Sequence, residues 1–270
     1  KQGNYRGATA CWQWMLTAAP QWNTKLYIDG ADIYDKLAEQ QTDPAKKKVL
    51  VDSLLMIYDL RIKNCGDEAN VMNRKAYASY KYNIKNKEKL GDLLALYDKV
   101  FEMNGAKVSD GNLVAYLTTV KANQIAFKNI TDEQILQRYD KIMNIVDEKI
   151  ADATRKGKTD DVNKLKGYKE AVDGLLIGMV KVDCEFVKKN LAPKFKQSPS
   201  DLALAKKIFT FMLQGKCADD PLFLEAAESI HKHNPEKDWG IVKIIVSRYI
   251  NSGNSDKAKV MLRESMPLAK

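Results

Sequence analysis

Apolar residues recur at i, i+3 and i+4 along almost the whole chain, and this period constrains the fold more than any other feature. Such spacing puts one apolar stripe on each helix, whereas a half-buried strand needs strict alternation. No convincing strand run appears. Polar turns divide the chain into thirteen helix candidates, at about 4–19, 24–40, 43–64, 68–82, 87–103, 109–128, 131–156, 160–180, 183–195, 200–214, 220–233, 238–251 and 255–268. The third carries the stripe Val51, Leu54, Leu55, Tyr58 and Ile62. Asp43-Pro44 starts it, because the missing proline N–H has no helical partner in a first turn. Thr131 to Gln134 has the form of a capping box, and the helix at 183–195 is expected to bend at Pro193. Helices of this kind with short connections predict an all-α array of antiparallel hairpins, each burying its stripe against its neighbours. An irregular helical bundle is the alternative.

A repeat is visible in places. Lys1 to Pro20 resembles the second half of a tetratricopeptide repeat: Gly3-Asn4-Tyr5 stands at the turn, then small Ala8, large Trp12 and terminal Pro20. Gly253-Asn254 precedes Ala258 and Leu262 at the same spacing, and Leu93, Tyr97 and Val100 give a weaker echo. The middle of the chain is less regular. This resemblance implies one domain over 1–270, a right-handed α-solenoid of six to seven hairpins that begins with a half repeat. Trp12 is then expected to pack on a helix preceding it, or to be covered by a neighbouring molecule. Tyr27 to Gly30 and Leu54 to Ile62 look like segments of exported tetratricopeptide proteins of the bacterial cell envelope. That likeness implies a periplasmic, secreted or outer-membrane-associated protein with a protein or peptide partner.

Composition narrows the classes of function. The chain is 45% hydrophobic and 29% charged, as an ordinary folded protein is. No apolar run reaches the roughly 18 residues that a spanning helix needs. The net charge of +9 rests on lysine: only seven of the 44 basic residues are arginine. Phosphate-reading surfaces favour arginine, whose planar fork makes paired contacts. The lysines are interspersed with acids at helix-surface spacing and read as a solvated face, so nucleic acid is disfavoured. An anionic polymer, RNA or an acidic glycan, is the second reading of the charge.

Motifs for chemistry are weak. Gly157-Lys158-Thr159 imitates the end of a phosphate loop, but Asp152 stands where that loop needs glycine and a helix precedes it. His231 and His233, the two histidines, point in different directions on a helix and cannot chelate as an i, i+4 pair does. No residue set reads as catalytic, as a cofactor site or as a metal site, and an enzyme is the least favoured class. The four cysteines contain no CxxC pair. If the helices at 183–195 and 200–214 return antiparallel, Cys217 lands beside Cys184, within reach of a disulfide. Such a bridge persists in oxidising compartments. Two buried free thiols are the alternative.

Trp12, Trp14, Tyr58 and Tyr97 sit at core spacing. In a tetratricopeptide stack the first helix of each hairpin lines the concave face. Registering Gly30 against the repeat's small residue puts Tyr27, Ala31 and Tyr34 on that face, and a poorer alignment adds Tyr82, Gln124 and Phe127. Tyrosine offers a large area at low rotamer cost, which suits partner binding. The expectation is a non-catalytic scaffold that holds a peptide or protein there.

Overall fold

The computed structural model describes residues 4–180, 183–235 and 238–266. Among these residues there are 14 α-helices, two short 3-10 turns and no strand. The contacts fall into two compact units, the first ending at Val180. Periodicity shows that a helix has a face to bury, but not how many neighbours share one core.

The first unit holds α1 (Tyr5–Ala18), α2 (Thr24–Gln40), α3 (Pro44–Cys65), α4 (Glu68–Asn83), α5 (Leu90–Asn104), α6 (Asp110–Phe127), α7 (Asp132–Arg155) and α8 (Thr159–Ile177). Each packs on the next, and α4 with α6 and α6 with α8 also touch. Local chemistry sets the ends. Asn23 and Asp43 accept hydrogen bonds from the first-turn amides of α2 and α3. Thr131 and Gln134 form the reciprocal capping box read from the sequence. Gly66, at φ +74°, and Asp67, at φ +58°, turn the chain sharply from α3 into α4.

Trp12 departs from expectation. Its indole lies in the core with Tyr27, Tyr34, Leu54 and Ile57. The indole Nε1–H donates to the Leu26 carbonyl at 2.7 Å, and the ring meets Tyr34 edge-on at 5.5 Å. It is 8% exposed, so α2 supplies the cover that was expected from a preceding element. Trp14, two residues on, is 68% exposed and is not a core residue. Two positions along a helix are about 200° apart, so one stripe could not hold both.

The second unit holds α9 (Cys184–Asn190), α10 (Ala192–Gln197), α11 (Leu202–Gln214), α12 (Pro221–His233), α13 (Trp239–Asn251) and α14 (Ser255–Ser265). The helix expected at 183–195 is two helices. The first ends at Asn190, and Pro193 sits in the first turn of the second, where its ring is tolerated. Cys184 and Cys217 are joined by a disulfide with Cα atoms 5.6 Å apart, which sets the start of α9 beside the chain just past α11. Ala258 packs against Val242 and Val246, while Leu262 stays partly exposed.

Candidate functional site

One cleft in the first unit combines volume, exposed apolar side chains and unusual polar groups. It holds about 540 Å³ and runs along α2, α4 and the start of α6, with the end of α3 contributing Tyr58 and Arg61. From α2 come Ile28, Ala31, Asp32 and Asp35; from α4 come Asn73, Arg74, Tyr77 and Lys81. Ile28 and Tyr77 are large apolar side chains left 46% and 51% exposed. A Cβ added to Gly111, at the start of α6, would lie 3.2 Å from the Tyr77 ring, so a glycine there leaves that ring its place.

The helices are tied together beneath and beside this cleft. Lys81 on α4 donates to both Asp35 oxygens at 2.8 Å and to Glu39 at 2.6 Å, which binds α4 to α2. Tyr82 on α4 donates to Asp35 Oδ1 at 2.7 Å. Burial and then the Asp35 carboxylate push the Tyr82 phenol up to about 12. Bonds to Lys36 and Lys81 hold the Glu39 carboxyl down at about 2. Between α4 and α6, buried Asn73 is the hub. It donates to Asn104 Oδ1 at 2.9 Å, while Asn112 donates to its carbonyl at 2.9 Å and the Ser109 amide to its side chain at 3.1 Å. Asn112 in turn accepts from Tyr97. A buried polar network with its members satisfied fixes helix positions more sharply than apolar contact does.

Arg61 breaks this rule. Its side chain is 8% exposed, its Nε has no hydrogen-bond partner, and its ion pair with Asp67 spans 3.9 Å to a carboxylate that is itself 59% exposed. It follows Val51, Leu54 and Ile57 on the buried stripe of α3, where an apolar residue would continue the pattern. Burial raises the Tyr58 phenol, as does Asp35, while Arg74, Arg61 and Lys81 oppose the rise. The cations therefore converge on one region of the cleft.

The residues expected on the binding face are distributed differently. Tyr27 and Tyr34 are 1% and 8% exposed and belong to the hairpin core. The Tyr27 hydroxyl donates to the Pro20 carbonyl and accepts from Asn64, each at 2.7 Å. Gln13 donates to the Tyr34 hydroxyl at 3.1 Å. Their assignment to an open groove is overturned. The register was wrong by one residue, about 100° of helix rotation: the open face of α2 is Ile28, Asp32 and Asp35. Ala31 is 7% exposed but does line the cleft. Tyr82 is half-buried and braces Asp35. Gln124 donates to the Met179 carbonyl at 3.2 Å, tying α6 to the chain after α8. Phe127, 41% exposed, lies 5.6 Å beneath the Lys87 ammonium. Neither of these two lines the cleft. The residues that sequence reasoning missed are Ile28, Asp32, Arg61, Arg74 and Tyr77. The one signal available was Arg61 itself, a charge at an apolar position of the α3 stripe.

No family model matches this chain, and no curated protein matches it significantly. Among the described residues, no helix is long and apolar enough to cross a membrane, and no group of three or more His, Cys, Asp and Glu could hold a metal ion.

Proposed function

We propose that this chain is a non-catalytic binding module of the bacterial cell envelope, and that it holds a peptide segment of another protein in the cleft along α2, α4 and α6. The observation that carries this reading is the pairing of two exposed apolar side chains, Ile28 and Tyr77, with the polar groups of one cleft. Large apolar side chains left open on a folded protein are common singly, but two at one concave site suit an amphipathic partner. The cleft walls are helices already fixed by the Lys81 and Asn73 networks, so a partner loses little free energy in ordering them. Tetratricopeptide-like stacking of the hairpins belongs to the same reading, supported by the contacts of α4 with α6 and α6 with α8. The Cys184–Cys217 disulfide is compatible with export to an oxidising compartment.

A photo-crosslinking residue at position 77, compared with one at exposed position 260 on α14, tests this in native envelope extract. The expected result is an adduct to a defined peptide segment at 77 and not at 260, lost when Ile28→Asp is added. Equal labelling at both positions, or labelling unchanged by Ile28→Asp, overturns the reading.

A further inference from the structure

We propose that the Arg61 end of the cleft is a carboxylate pocket, which takes one Glu or Asp side chain of the bound peptide. The proposal rests on the peptide-binding reading and names the chemistry the peptide must carry.

The physical case begins with the cost of burying a guanidinium. A charge removed from water is tolerated when paired and hydrogen-bonded, and costs several kcal/mol when it is not. Arg61 is 6% exposed, and its Nε is closed to solvent and has no hydrogen-bond partner in the protein. Asp67 approaches only to 3.9 Å, at the edge of ion-pair distance. By contrast, Asn73, Asn104, Asn112 and Asn123, equally deep in the same unit, have their side-chain bonds made. A deficit at one residue amid a satisfied network marks the place where a ligand completes the set. The Nε–H and one Nη–H lie side by side on a guanidinium edge and match the two oxygens of a carboxylate.

Charge selects the ligand. The lining sets Arg61, Arg74 and Lys81 against Asp32 and Asp35, and the partner carboxylates Asp67 and Glu39 adjoin Arg61 and Lys81, so the region carries no positive excess. Lys81 is already committed to Asp35 and Glu39, and Arg74 Nε donates to Asn70. A monovalent carboxylate adds the smallest negative charge to this set and can occupy the guanidinium edge that Asp67 leaves at 3.9 Å. A phosphate dianion adds twice that charge and meets the two cleft carboxylates. The rim selects the carrier: Ile28 offers an aliphatic surface to a side chain flanking the acid, and nothing to a hydroxyl-rich sugar acid. Seating an oxygen on Nε requires a local shift of the side chains that shield it.

Arginine side-chain NMR on the full chain tests this directly, since seven arginines give seven Nε–H signals. The probes are N-acetyl-glutamate amide, its neutral twin N-acetyl-glutamine amide, glucuronate and inorganic phosphate, at constant ionic strength. Arg61→Lys assigns the Arg61 signal. If that variant does not fold, Arg→Lys replacement of the other six assigns it by exclusion. The expected result is a saturable shift of the Arg61 signal by the glutamate probe, with the glutamine twin about tenfold weaker or inactive. An unmoved Arg61 signal, or equal responses to the two twins, overturns the pocket. A stronger response to glucuronate or phosphate overturns the choice of ligand. Shifts confined to the amides around Tyr77, with Arg61 still, remove the carboxylate pocket and leave the peptide cleft standing.

Discussion

Gly30 is the residue on which the start of the fold depends. A Cβ built there would lie 2.3 Å from Trp12 Cζ2 and 2.5 Å from its Nε1, far inside contact distance. The indole is pinned by its bond to the Leu26 carbonyl and by the surrounding core, so it cannot move aside without losing both. Gly30→Ala therefore sets an overpacking cost of about 1–3 kcal/mol against the roughly 1 kcal/mol that alanine gains in a helix. We expect a net loss of stability in urea unfolding, together with faster solvent exchange of the Trp12 indole proton. A stabilised variant with the indole still protected would show that α1 does not dock on α2 as described. The same position bears on the one-residue register error: Gly30 was registered against the small first-helix residue of a tetratricopeptide repeat, and it is the small residue under Trp12.

At the scale of helices, tyrosines stitch neighbouring elements together through carboxylates. Tyr116 on α6 donates to Asp98 on α5, Tyr139 on α7 to Asp173 on α8, and Tyr249 on α13 to Glu228 on α12. Burial first, and the carboxylate next, raises the Tyr82 and Tyr249 phenols to about 12. Burial raises those of Tyr97, Tyr116 and Tyr139 further still. An unfolded tyrosine titrates near 10. Because the folded value is the higher one, the stability these phenols contribute is whole below about pH 10 and is lost as pH rises through about 12 and beyond. Absorbance at the phenolate band should therefore show the exposed tyrosines titrating first. A later, cooperative rise should coincide with loss of helical circular dichroism. Smooth titration of all twelve tyrosines near pH 10 with helix content intact would contradict these joints.

For the whole molecule, the division into two units and the disulfide in the second give a spatially selective prediction. The Cys184–Cys217 bridge spans 33 positions of chain and ties α9 to the end of α11. Closing a loop of that length removes denatured-state entropy worth about 3–4 kcal/mol on the chain-entropy account. Reduction should accelerate amide exchange in α9, α11 and α12 while leaving α2 to α6 unchanged. Uniform acceleration through both units, or none in the second, would go against this division.

Sequence by itself determined the element type, most helix ends and one long-range pairing. Helical period, the Asp43-Pro44 start, the Thr131 capping box and the return of the chain that brings Cys217 beside Cys184 are consequences of local geometry, and local geometry is written in adjacent residues. Tertiary structure alone decided which way each helix was rotated about its axis and how the helices grouped. On α2 a single residue of rotation exchanges Tyr27 and Tyr34 for Ile28 and Asp32. Amphipathic residues such as tyrosine do not settle that choice, since each has an apolar body fit for a core and a polar tip fit for a surface. The cleft was invisible for the same reason. It is assembled from four helices, and the state that distinguishes Arg61, burial without a partner, exists only once its neighbours are in place.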